Sequence, residues 1–260
     1  MEKLLAVIHD RNIYQYRSSS IAEKQSFKER PQLTIRAIVF DLDGTLAEFN
    51  LDYKAVRAEV KQLLANHGIP ASLLSIKESI FEMLKKAKVY MRNVGRGEEF
   101  PEVQEHILSL ARRRELQAAR ETSPLPGVFE TLKNLKIERN LKLGIFTINS
   151  QKSTDYILVN FRLKQFFDAI ITREAVSNVK PDPTHLAAAL KALSAKTNET
   201  LVVGDSITDM LSAKALNVEA IGIARNDEAA RKLNHAGAKH IVRSITDLPK
   251  LITNLGQNNT

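Results

Sequence analysis

The chain of 260 residues contains no cysteine, which excludes disulfide bridges, thiolate metal sites and cysteine nucleophiles, and suits a reducing compartment. Any metal must therefore bind through oxygen or histidine. The six histidines, His9, His67, His106, His185, His235 and His240, are scattered without the spacing of a metal site, and none is assigned a catalytic role. No apolar run approaches the roughly 18 residues that a membrane span needs, and the opening stretch Leu4 to Ile8 stops at His9-Asp10, too short for a signal peptide. The expectation is a cytoplasmic protein with no membrane partner. A concentrated block of lysine and arginine is also missing. The net charge of +8 is spread along the chain, aromatic residues make up only 6%, and no nucleic-acid-binding motif is present, so no nucleic-acid partner is expected. There is no internal repeat.

The most informative segment is Asp41-Leu42-Asp43-Gly44-Thr45, which closes the apolar run Ile38-Val39-Phe40. Two carboxylates two residues apart at the end of a buried strand repel each other and are poorly solvated, so they call for a cation, either a metal or a lysine. The composition, 43% hydrophobic and 26% charged, is that of an ordinary folded domain, and its length allows one large domain or a domain with an insertion.

Residues 1–34 read as a polar, basic N-terminal extension ending near Pro31, with no role assigned. Strands are predicted at Ile35–Phe40, Leu141–Phe146, Ala169–Ile171, Leu201–Val203, Ala220–Ile223 and His240–Val242. Helical patterns at Val128–Leu135, Pro183–Leu193, Thr208–Leu216 and Asp227–His235 lie between most of them. This alternation predicts an α/β fold with a doubly wound parallel sheet, in which ligands sit at the carboxyl ends of the strands, where Asp41, Thr147 and Asp205 all fall. Residues 48–121 break the rhythm with helical periodicity and no strand. They are expected to form a separate helical unit, leaving 35–47 and 122–260 as the core. In that unit Ile80, Leu84, Ala87 and Met91 keep helical spacing for one apolar stripe, while Lys85, Lys88, Arg92 and Arg96 share a neighbouring face. Gly95 and Gly97 are expected to end that helix, and hinges are expected near Glu48 and Ser123.

Four segments together carry a family resemblance. Asp41–Thr45 resembles the first motif of the haloacid dehalogenase superfamily of phosphohydrolases. Gly144-Ile145-Phe146-Thr147 is similar to its second, Lys180-Pro181-Asp182-Pro183 to its third, and Gly204-Asp205-Ser206-Ile207-Thr208-Asp209 to its fourth, all in family order over residues 35–247. Each segment alone has a plainer meaning: a turn at Asp43-Gly44, a helix cap at Asp205, an exposed loop at Lys180 or a strand residue at Thr147. The set of four is what makes the signal specific.

The resemblance implies a Rossmann-like core with an inserted α-helical cap, and a Mg2+-dependent phosphatase of small phosphorylated metabolites. Asp41 would be the nucleophile, forming a phosphoaspartate, and Asp43 the general acid and base. Thr147 and Lys180 would hold the transferring phosphoryl group. Asp41, the backbone carbonyl of Asp43, and Asp205 would ligate the metal, with Asp209 joining directly or through water. Asn149 and Ser150 resemble the Thr-Asn loops of the phosphoglycolate-phosphatase-like branch, with Ile148 inserted, which makes Asn149 a substrate-contact candidate. Lys85 and Arg92 on the basic stripe are candidates for a second anionic group of the substrate, against the plainer reading of a solvated helix flank. Arg112-Arg113-Arg114 is read as surface charge.

Asp43 argues against dehalogenation, because a departing halide needs no proton, and the lack of membrane helices argues against a P-type ATPase. Phosphoglycolate, pyrophosphate, a nucleotide monophosphate and a β-phosphoglucomutase-like phosphotransfer all suit the same core residues. A non-catalytic binding or regulatory module on the same fold is the alternative from another class. The oligomeric state is not legible.

Overall fold

Strand β1 (Ala37–Phe40) is buried along its whole length and is hydrogen-bonded in parallel on both sides, so it reads as an unbroken apolar run rather than an alternating one. The computed structural model describes residues 34–48 and 50–257, and the expected extension over 1–34 lies almost wholly outside them. After β1 come β2 (Ala47–Glu48), helices α1 (Tyr53–Asn66), α2 (Ile80–Asn93) and α3 (Phe100–Ala119), and β3 (Ser123–Pro124). The chain continues through α4 (Val128–Lys133), β4 (Lys142–Phe146), α5 (Gln151–Asn160), β5 (Ala169–Ile171), α6 (Pro183–Leu193) and β6 (Thr200–Gly204). It closes with α7 (Ile207–Ala215), β7 (Glu219–Ile223), α8 (Asp227–Ala236), β8 (His240–Val242) and α9 (Leu248–Gln257).

Six strands form one parallel sheet in the order β5-β4-β1-β6-β7-β8. The chain builds outward from β1 through β4 to β5, then crosses back to β6 and builds the other way, so the order reverses beside β1. Such a reversal opens a crevice at the carboxyl ends of the strands on either side. Side chains alternate across the sheet. Ile38 and Phe40 join Leu143, Ile145 and Val203 in the core under α4, α5 and α9, whereas Ala37 and Val39 join Val202 and Phe146 in the core under α6, α7 and α8. The doubly wound parallel sheet expected from the sequence is present, and all six predicted strands fall on it.

Two helices were not expected. Helix α5 starts where the Ser150 side chain accepts the Ser153 N–H, and α9 packs Leu248 and Ile252 against the sheet. The segment expected as one helix over Val128–Leu135 is α-helical only to Lys133 and continues as a π-helical turn over Asn134–Glu138.

Helices α1, α2 and α3 share an apolar cluster of their own, running from Val56 to Leu110. Leu84, Ala87 and Met91 of the expected stripe are buried in it, and Ile80 packs against it. Helix α2 is capped at Ser79 by a reciprocal pair of bonds with Glu82 and ends before Gly95, which takes a left-handed conformation. The two chain segments entering and leaving this insertion pair as an antiparallel ribbon, Ala47 opposite Pro124 and Glu48 opposite Ser123. No helix among the described residues is long and apolar enough to cross a membrane.

Candidate active site

The backbone N–H of Asp41 bonds the Val203 carbonyl at 2.9 Å, which carries β1 one residue past its last paired position and delivers the Asp41 carboxylate to the crevice. There Oδ1 of Asp41 accepts the Leu42 N–H at 2.7 Å and lies 2.5 Å from Nζ of Lys180. Lys180 is buried. Its ammonium also reaches Oδ1 of Asp209 at 2.7 Å and sits 4.6 Å from the centre of the Phe146 ring. Burial alone would lower the Lys180 pKa, but the Asp209 and Asp41 charges outweigh it and raise it, so the group stays an ammonium.

Asp209 is fully buried in the first turn of α7. Its Oδ2 accepts both the N–H and the hydroxyl of Ser206, at 3.0 and 2.7 Å. A side chain at position 204 would put a Cβ 2.3 Å from that oxygen, so the close approach requires Gly204. Asp205 reaches over the first loop in the same way, since a Cβ on Gly44 would fall 2.0 Å from its Oδ2, and Gly44 has a φ of +73°.

Carboxylate oxygens of Asp41, Asp205 and Asp209 all lie within 4.8 Å of one another. Desolvation first, then the Asp209 charge, pushes the Asp41 pKa well above the usual carboxylate range. Although Asp205 reaches solvent in the crevice, the protein packed around it and the neighbouring Asp209 raise its pKa to about 7. Among the described residues, four carboxylates, Asp43 included, thus gather around Lys180, which pairs with two of them. The donor set is entirely oxygen and carries surplus negative charge, which fits a hard divalent cation such as Mg2+ and does not fit a soft metal.

Asp43 is held differently. Its Oδ2 accepts the Tyr53 hydroxyl at 2.7 Å and its Oδ1 accepts the Asn149 side-chain amide at 2.9 Å. Burial pushes its pKa up to about 6, even though both hydrogen bonds favour the ionised form. Tyr53 is the first residue of α1, so a residue of the insertion reaches this carboxylate directly.

A crevice of about 830 Å3 opens over these groups, with Asp41, Asp43, Lys180 and Asp205 in its wall. Of the other expected site residues, Lys85 lines this cavity and Asn149 bonds Asp43 beneath it. Thr147 is not among its lining residues. Its side chain is fully buried and its hydroxyl oxygen accepts the Asn149 N–H at 3.2 Å, while Ile148 lines the wall instead. Arg92 is also absent from the wall. Seven residues along α2 from Lys85 is a rise of about 10 Å, which carries Arg92 away from the crevice and beside Gly97. Arg96 is committed to Glu99 at 2.6 Å, and Lys88 lies over the Phe100 ring.

Several residues at the site were not singled out from the sequence: Tyr53 and Arg57 on α1, Glu115 on α3, and Arg173 after β5. Glu115 and Arg173 form a buried pair at 2.5 Å. Oε2 of Glu115 also accepts the Ser150 N–H at 3.1 Å, and Arg173 donates to the Ile148 carbonyl at 2.9 Å. The insertion therefore grips the loop after β4 from behind the site. The available signal was the Tyr53/Arg57 pair, one helical turn apart, close after the Asp41–Thr45 loop.

A parallel sheet whose order reverses beside β1, with an aspartate cluster at that point and a helical insertion after the first strand, defines a hydrolase class built on a doubly wound core. The chain belongs to the haloacid dehalogenase-like hydrolases, whose family model matches residues 38–223. It is similar to the pyrophosphatase PpaX of Halalkalibacterium halodurans, 28% identical over 226 residues that cover 85% of this chain and 98% of the relative. Phosphoglycolate phosphatase 1 of Pseudomonas aeruginosa is 28% identical over 222 residues, 82% of this chain and 78% of that one. Among solved structures, a hydrolase from Pseudomonas syringae superposes with a TM-score of 0.59 and 26% identity, covering 84% of this chain and 98% of its own.

Proposed function

We propose that the chain is a Mg2+-dependent phosphatase of small phosphorylated metabolites that works through a phosphoaspartate on Asp41. The observation that carries this reading is the 2.5 Å contact between Asp41 and Lys180 in a crevice shared with Asp43 and Asp205. The Lys180 ammonium offsets the charge of Asp41, so that an anionic ester can approach an anionic nucleophile. An Asp41 oxygen attacks phosphorus as the bond from phosphorus to the leaving oxygen breaks, and Asp43 gives its proton to the leaving alkoxide. Water then attacks the same phosphorus and returns a proton to Asp43, while the bond from phosphorus to Asp41 breaks and releases inorganic phosphate.

An Asp43 pKa near 6 suits a group that must be acid in one step and base in the next. Asp41, Asp205 and the Asp43 carbonyl would hold Mg2+, with Asp209 bracing Lys180 behind them. When bound, the cation offsets the charge of the carboxylates and of the phosphoryl oxygens. Residues 48–121 would act as a cap over the site, touching it through Tyr53, Arg57 and Lys85. Phosphoglycolate and pyrophosphate are the first substrates to try, because relatives of this chain are named for them.

The test is Asp41→Asn, which keeps the shape and removes the nucleophile. Mg2+-dependent phosphate release from a phosphomonoester panel should fall by at least about 10^4-fold while the thermal unfolding transition persists. Unchanged turnover in that variant would reject the covalent route. A parent protein that releases no phosphate from any member of the panel, pyrophosphate and glucose 1-phosphate included, would favour a binding module.

A further inference from the structure

Arg57 stands one turn beyond Tyr53 on α1 and lines the crevice above Asp41 and Asp43. It is half-buried, and among the described residues it makes no hydrogen bond or ion pair; its guanidinium carbon lies 5.9 Å from the centre of the Tyr53 ring. The other cations of this wall differ. Lys180 is neutralised by Asp41 and Asp209, and Arg225 pairs with Glu48 at 3.1 Å. Lys85 is exposed at the mouth and lacks a carboxylate within ion-pair distance among the described residues.

A half-buried guanidinium cannot shed its charge by losing a proton, and leaving it unpaired in a partly dehydrated wall is unfavourable. A ligand anion would remove that penalty, and the planar fork of an arginine matches a carboxylate or phosphate through two parallel hydrogen bonds. Arg57 also packs on the ring whose hydroxyl holds Asp43. The cation that would grip a leaving group and the carboxyl group that would protonate it are therefore linked through one side chain.

We propose that Arg57 reads a second anionic group on the substrate, so that the site selects small phosphoesters or phosphoanhydrides whose leaving group itself carries a carboxylate or a phosphate. This rests on the phosphatase reading above.

The experiment compares three probes with Mg2+ present. Phosphoglycolate and ethyl phosphate share a two-carbon leaving group and differ in the carboxylate, and pyrophosphate carries a phosphate in its place. The intact protein should favour phosphoglycolate or pyrophosphate over ethyl phosphate by at least about tenfold in kcat/KM. Which of the two is favoured identifies the source of the second charge. Arg57→Gln should collapse that ratio by about tenfold or more, mainly through KM, and Arg57→Lys, which keeps the charge but loses the fork, should fall between. Because the readout is a ratio between substrates, partial misfolding lowers both rates and leaves it unmoved. An intact protein that hydrolyses ethyl phosphate as well as the charged probes, or a preference that survives Arg57→Gln, overturns the role of Arg57 and leaves the phosphatase reading standing. Absence of hydrolysis of all three and of the wider panel removes that reading, and this one with it.

Discussion

The hydroxyl of Tyr53 donates to Oδ2 of Asp43 across 2.7 Å, joining the first residue of the inserted helices to the loop that follows the first sheet strand. Tyr53→Phe deletes this bond and little else, since the ring still fills its place. The bond is made to a carboxylate, so kcat should fall about tenfold, corresponding to roughly 1.5 kcal/mol of positioning lost at Asp43, with a small change in thermal stability. Steady-state kinetics beside a melting curve measures both, and an unaltered kcat would mean that Asp43 is positioned without Tyr53.

Among the described residues, Lys180 is the one cation in ion-pair contact with Asp41 and Asp209. Replacing it by methionine keeps much of the volume but strands both carboxylates, at a cost of about 3–5 kcal/mol. The double variant Lys180→Met with Asp209→Asn should recover part of this, because one stranded charge is gone. Urea unfolding in the presence of a chelator, run as a double-mutant cycle, gives the coupling; simple additivity would show that the pair does not act as a unit.

The Glu115 and Arg173 pair, which holds the loop after β4 from behind the site, predicts a similar result. Both side chains are buried, and among the described residues Nε and Nη2 of Arg173 have no hydrogen-bond partner; Glu115 is the close carboxylate, with Glu174 farther off at 3.7 Å from Nε, so the arginine depends mainly on Glu115. Glu115→Leu should destabilise the fold by about 3 kcal/mol or more, and the Glu115→Leu, Arg173→Met pair should be less damaging than the first change alone. Chemical denaturation of Glu115→Leu, Arg173→Met and the double variant decides this. A double variant worse than the sum of the singles would contradict it.

His185 supplies the pH prediction. Its Nδ1 accepts the Lys180 N–H at 3.3 Å and its Nε2 faces the Ile171 carbonyl at 3.2 Å, an arrangement that suits the neutral ring. Burial, followed by the Lys180 charge, lowers its pKa to about 4. Because the folded value lies below the ordinary 6.5, the folded protein binds fewer protons in that interval. The contribution is complete above about 6.5 and is lost as the pH falls toward 4, about 3 kcal/mol in all. Replacing His185 by glutamine should flatten the stability profile between pH 6.5 and 4 by comparison with the parent; equal slopes would remove His185 as the cause.

Much of this molecule was legible before folding because its signals are local. Short apolar runs marked the strands, and a buried strand that ends in Asp41 or Gly204-Asp205 must present its next side chain at the sheet edge, whatever packs around it. The basic stripe on α2 was legible as a face but not as a contact. Lys85 and Arg92 share that face, and only the direction in which α2 crosses the crevice separates the one that lines it from the one that does not. Thr147 follows the last residue of its strand as expected, and its buried hydroxyl oxygen accepts the Asn149 N–H, a contact the sequence did not reveal.

By itself the sequence determined the doubly wound sheet and put Asp41 and Asp205 at the ends of its strands, since periodicity and strand ends are properties of neighbouring residues; that Asp43 and Lys180 join them at one site was implied by the family resemblance. Only the tertiary structure decided that Tyr53 holds Asp43, that Arg57 stands above it unpaired among the described residues, and that Glu115 and Arg173 lock the insertion to the core. The last pair lies 58 residues apart in the chain. Such contacts depend on the packing angle of whole helices, which no local pattern of residues encodes.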